Sequence, residues 1–102
     1  MVGDLPVLEL DGEIDIASVP RLSDAINRLI NDERGRSIAV DLDSVIALDD
    51  TGLGIIIGAA GRARQHGGDL IVVASAQHLI QRLSLTRFDQ AVRVVSSLGA
   101  AT

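Results

Sequence analysis

The sequence predicts an α/β fold, ordered βαβαβαβ, with helices packed on a four-stranded, mostly parallel or mixed sheet. Three observations carry this. Residues 69–74 (Asp-Leu-Ile-Val-Val-Ala) form a nearly continuous apolar run, the kind of strand that is covered on both faces in α/β proteins. Leu22, Ala25, Ile26, Leu29 and Ile30 recur at three- and four-residue steps and so form the apolar face of an amphipathic helix. Extended and helical stretches alternate along the chain, an order that calls for parallel strands joined by right-handed crossovers.

Taken in order, Val7 to Leu10 read as the first strand, and Asp11-Gly12-Glu13-Ile14-Asp15 as a turn rich in carboxylates. Three acids in five residues also suit a metal site, but with no second cluster nearby they read as a solvated strand end. Ser18 caps the first helix, with Pro20 in its first turn, and residues 32–36 form a polar turn stopped by Gly35. Ile38 to Leu42 make the second strand, followed by a turn at Asp43-Ser44 and a short apolar run, Val45 to Leu48. Asp41 has two readings, a ligand-facing acid at a strand end or a carboxylate bonded to nearby backbone N–H groups. The central helix spans about Gly52 to Gln65, with Leu53, Ile56, Ile57, Ala60 and Ala63 inward. Gly58 and Gly61 each cost roughly 1 kcal/mol relative to alanine, which suggests close packing. His66-Gly67-Gly68 supplies the stop. A third helix opens at Ser75 or Ala76 with Leu79, Ile80 and Leu83 inward; Leu85, Phe88 and Ala91 plug the core. Val92 to Val95 form the last strand, and residues 96–102 a small tail.

Composition narrows the function. One hundred and two residues make one domain with a single core. Phe88 is the only aromatic residue and the net charge is -5, so base-stacking platforms and a basic face for nucleic acid are both missing. Without cysteine there are neither disulfides nor thiolate metal sites. All nine basic residues are arginine, which excludes a P-loop lysine and Schiff-base chemistry. No apolar run is long enough to span a bilayer and no signal peptide begins the chain, so a cytoplasmic location is expected. No cofactor is called for. Neither His66 nor His78 lies in a recognisable catalytic motif, and an enzyme is not expected.

The chemistry concentrates in Leu48-Asp49-Asp50-Thr51-Gly52-Leu53-Gly54-Ile55-Ile56-Ile57-Gly58. Asp, Asp and Thr ahead of an apolar segment supply the oxygens that a helix N-terminus needs. One reading stops there, with an ordinary cap and glycines that allow close packing. The other uses the electropositive helix end and the small residues after Thr51, which leave room for a large partner and make the hydroxyl a place to add or remove a phosphate.

Asp49-Asp50-Thr51-Gly52-Leu53-Gly54 resembles the Asp-Ser/Thr-Ser/Thr-Gly-Leu-Gly signature of the anti-sigma factor antagonists, whose fold is the STAS domain. Gly12-Glu13-Ile14-Asp15 is similar to the Gly-Glu-Leu/Ile-Asp that follows an early strand in that family, and Asp41-Leu42 matches a common Asp-Leu pair. The resemblance covers roughly Val7 to Val95. It implies a STAS fold shortened at both ends, since members usually carry an extra strand before Val7 and a further helix after the last strand. It also implies that Thr51 is phosphorylated and that Asp15, Asp49, Asp50, Gly52, Leu53 and Gly54 contact the partner. That partner would be an anti-sigma factor, itself a Ser/Thr kinase of the histidine-kinase-like ATPase fold, with a PP2C-type phosphatase as the resetting enzyme. Asp50 departs from the family pattern, which has Ser or Thr there, and could imitate a phosphate. A constitutive STAS scaffold, docked for example on a transporter ATPase, is the alternative. Direct nucleotide binding is weaker, because Gly52, Gly54 and Gly58 miss the dinucleotide spacing by one residue.

Overall fold

A computed structural model describes residues 5–101. The elements are β1 (Val7–Ile14), a 3-10 turn (Ile16–Ser18), α1 (Val19–Asp32), β2 (Ile38–Leu48), α2 (Asp50–Gln65), β3 (Leu70–Val73), α3 (Gln77–Leu85), α4 (Phe88–Ala91), β4 (Arg93–Val95) and α5 (Leu98–Ala101). The four strands lie in the order β1-β2-β3-β4, and every pair is parallel. Sequential order with crossovers of one hand places the connecting helices on one face of the sheet. The main core lies there, where Ile26 of α1, Ile56 of α2 and Leu79 of α3 close over Val40, Leu42 and Val72. β3 is buried along its whole length, as its apolar run predicts.

The opposite face holds a smaller cluster of Leu5, Ala39, Ile71, Val73 and Ala101. Residues 98–101, expected as part of a tail, instead form α5, and Ala101 and Leu98 help to cover the sheet. The reason is apolar: Val73 and Ile71 project from this face and need a lid.

Several expected boundaries shift. β1 continues past Leu10 to Ile14, through the segment expected as a turn. The two apolar pieces around Asp43-Ser44 are a single strand of 11 residues, β2. Between Glu9 and Asp11, and again between Gly12 and Glu13, β2 spends one extra residue against β1, so the irregularity is absorbed as bulges. Side chains hold the first bulge. Asp41 Oδ1 accepts from the Asp43 N–H at 2.9 Å, the backbone-bonding reading of Asp41, and Asp43 Oδ1 accepts from the Ser75 N–H at 2.7 Å.

Helix ends differ in detail. Ser18 makes no side-chain cap bond to α1. The capping box belongs to the 3-10 turn before it, where Asp15 Oδ1 accepts from Ala17 N–H (3.0 Å) and Ser18 N–H (3.2 Å) while Ser18 Oγ accepts from Asp15 N–H (2.9 Å). α2 ends as expected, with Gly67 at φ +89°. α2 buries Leu53, Ile56, Ala60 and Ala63 as expected, but Ile57 is 40% exposed and Ala59 is buried as well. Gly58 and Gly61 also lie on the exposed side rather than in a close contact. In the last third, Phe88 fills the core, whereas Leu85 is 85% exposed and Ile80 lies at the surface.

Candidate functional site

The parallel register brings the motif residues together. Ile14 pairs with Leu48 at the carboxyl ends of β1 and β2, and the Asp49 N–H donates to the Ile14 carbonyl at 3.0 Å. Asp15 and Asp49, 34 positions apart in sequence, therefore follow two adjacent strand ends. Crevices outside the carboxyl ends of parallel strands are where α/β sheets bind ligands and partners.

Asp49 is the N-cap of α2, and its Oδ1 accepts from the Gly52 N–H at 3.0 Å. That bond satisfies one of the helix's unpaired donors. It also sets a carboxylate where a free anion would have to sit, which works against nucleotide binding at this end. Thr51 is exposed in the first turn. Gly54 is exposed too, with no atom within 4 Å of where a β-carbon would lie. Gly52 and Leu53 behave differently from the expectation that they meet a partner. Both are buried, Leu53 at 4% exposure within the main core, and Gly52 rests on Ile14 and Leu48. A hydrophobic side chain three residues into the helix is drawn to the sheet, so Leu53 anchors α2 from beneath and shows only a small area, in the cleft it lines with Asp50, Gly54 and Phe88. Asp15, Asp49, Asp50, Thr51 and Gly54 remain at least partly accessible.

Sequence reasoning missed Arg82. Its Nε donates to the Leu48 carbonyl, and its Nη2 lies 2.9 Å from Asp50 Oδ1. One guanidinium thus joins α3 to the end of β2 and the start of α2. It also sets a positive charge beside Asp50, the residue that stands where the family pattern has Ser or Thr. No local pattern could reveal this, because the partners lie 32 and 34 residues away. Arg82, His78 and Leu79 form one wall of a cleft of about 380 Å³, facing Glu13, Asp15 and Asp49. Ile16, 75% exposed beside Asp15, is a second residue the sequence reading passed over. Among the described residues no three His, Asp or Glu side chains converge as a metal site would require.

The family profile described as "STAS domain" matches residues 2–101. The chain belongs to the STAS domain family. Among its relatives, the anti-sigma-B factor antagonist of Bacillus subtilis strain 168 is 30% identical over 79 residues, covering 78% of this chain and 71% of that protein. A solved anti-sigma factor antagonist from Mycobacterium paratuberculosis has a TM-score of 0.75 and 25% identity, covering 93% of this chain and 80% of that one. The Bacillus cell fate determinant SpoIIAA, solved in its phosphorylated form, shares the fold with a TM-score of 0.69 at 18% identity, covering 99% and 92% of the two chains. The parallel four-stranded sheet is therefore a STAS sheet, and the Asp49–Gly54 motif of this STAS domain sits at its strand ends.

Proposed function

We propose that this STAS domain is an anti-sigma factor antagonist switched by phosphorylation of Thr51. Unmodified, it binds an anti-sigma factor, a Ser/Thr kinase of the histidine-kinase-like ATPase fold, and so frees a sigma factor for transcription. The kinase transfers the γ-phosphoryl group of ATP to Thr51 Oγ, releasing ADP, and the binding ends. A PP2C-type phosphatase hydrolyses the ester and restores the first state. Because these are cytoplasmic partners, the domain acts in the cytoplasm.

The observation that carries this reading is the exposed Thr51 in the first turn of α2, on a surface shared with Asp15, Asp49, Asp50 and Gly54. A hydroxyl in that position is open to a kinase, and the surrounding backbone is fixed by the Asp49 cap and the Arg82 bonds. A phosphate adds about -1.5 to -2 charge. Near a helix N-terminus that charge gains roughly 0.3–1 kcal/mol, which offsets part of its repulsion from Asp49 and Asp50, and the exposed position of Thr51 leaves the core untouched. The partner feels it instead, because like charge brought into an interface costs several kcal/mol. The names of the relatives and the phosphorylated state of SpoIIAA support the same assignment.

Binding of the candidate anti-sigma kinases from the same genome, measured with Thr51→Glu and Thr51→Ala, tests it. Thr51→Glu should weaken binding by at least tenfold, about 1.4 kcal/mol, and Thr51→Ala should bind regardless of ATP. Equal affinity for the Glu variant and the unsubstituted protein would rule the switch out.

A further inference from the structure

β1 lies at one margin of the sheet, and among the described residues no strand pairs with its outer edge. The Pro6 carbonyl accepts from Ala39 N–H at 2.9 Å and the Ile14 carbonyl from Asp49 N–H at 3.0 Å. Backbone groups alternate in direction along a strand, so those of Val7, Glu9 and Asp11 point away from β2 as a row of free donors and acceptors. Side chains alternate as well. Leu8 and Leu10 pack toward the main core, while Glu9, Asp11 and Glu13 are exposed. Beside the strand runs a groove of about 290 Å³, lined by Leu8, Leu10, Leu22 and Ala25 together with Ser18 and Arg21.

We propose that this edge accepts, by strand addition, an extended segment of a partner protein in which basic residues alternate with aliphatic ones. The main chain of that segment would pair with Val7, Glu9 and Asp11, and its aliphatic side chains would enter the groove beside Leu8 and Leu10. The Arg21 cation adds a reason for these, not the basic ones, to enter there. Its basic side chains would lie opposite Glu9 and Asp11 on the other face; this division of labour is how sheet edges recognise peptides. Charge selects the occupant. A second copy of β1 fits poorly, because antiparallel pairing with Leu10 opposite Leu10 sets Glu9 against Asp11, and the neighbouring register sets Asp11 against itself. The inference stands independently of the Thr51 switch.

The test is a titration of the isotope-labelled protein with a short peptide alternating valine with arginine, followed by amide exchange. Binding should slow exchange at Val7, Glu9 and Asp11. Glu9→Arg combined with Asp11→Arg, both exposed positions, should weaken the peptide by about tenfold or more. The same peptide with every backbone amide N-methylated lacks the donors in either strand direction and should not bind. Three results would overturn the proposal: no binding, equal binding of the N-methylated peptide (attraction by charge alone), or binding that leaves those amides unprotected. Self-association through β1 in sedimentation would equally overturn it, in favour of a second copy.

Discussion

A β-carbon on Gly52 would lie 2.7 Å from Cγ2 of Ile14 and 2.8 Å from Cδ1 of Leu48. Leu48 can rotate its terminal methyl aside, but the methyl of Ile14 sits on a stiff β-branched carbon. Alanine would gain about 1 kcal/mol of helix propensity and lose about 1–3 kcal/mol to overpacking. Gly52→Ala should therefore lower stability by up to about 2 kcal/mol, read as an earlier urea midpoint. Gly61 is the control on the same helix, with nothing within 4 Å of the added carbon. Gly61→Ala should raise stability by about 0.5–1 kcal/mol; a loss there would show that the exposed face of α2 is packed after all. Spacing alone could not separate these glycines. Which of them touches the sheet depends on where α2 lies across Ile14 and Leu48, a tertiary fact. The same limit explains Leu53. Its place in the motif marked it as a contact, its helical period marked it as core, and burial follows the period.

Among the elements, one guanidinium adds polar bonds to the apolar packing of α3 on β2 and α2. Arg82→Met keeps the apolar stem but removes the bond to the part-buried Leu48 carbonyl, which should cost about 1–2 kcal/mol. Asp50→Asn removes only a carboxylate that is 87% exposed, and should change stability by less than about 0.5 kcal/mol. Equal losses for the two would mean that the ion pair, not the carbonyl bond, holds α3 in place. Periodicity located these elements well: α1 buries Leu22, Ile26 and Ile30 in the expected rhythm, and β3 is buried throughout. It failed where chain direction alone decides. Asp43 and Ser44 look like a turn, yet β2 runs straight through them, because Asp41 satisfies the Asp43 N–H at the bulge and Asp43 ties the strand to the Ser75 N–H beyond β3. Asp15 was singled out by resemblance as a contact residue; its capping of the 3-10 turn, through bonds within three residues, was within reach of a local reading.

For the whole molecule, the alternation of elements was enough to specify an α/β fold with a mostly parallel or mixed sheet, which proves parallel throughout, and the motif was enough to place it in the STAS family. The sequence did not disclose that the second face of the sheet is covered by α5 and Leu5, since Leu98 to Ala101 carries too little periodicity to signal a helix. The functional account places all regulation in one exposed hydroxyl on this frame. The phosphate should therefore alter binding without altering folding. Unfolding free energies of the phosphorylated and unmodified forms, from urea titration, are expected to agree within about 1 kcal/mol, while affinity for the kinase partner falls by at least tenfold, about 1.4 kcal/mol.

The most direct test is intact-mass spectrometry after incubation with ATP and each anti-sigma kinase of the same genome, with Thr51→Ala alongside. The account predicts a gain of one phosphate with one such kinase, absent from Thr51→Ala. Stable co-elution with a kinase or a transporter ATPase, without any phosphate gained, would contradict it and make this STAS domain a permanent binder.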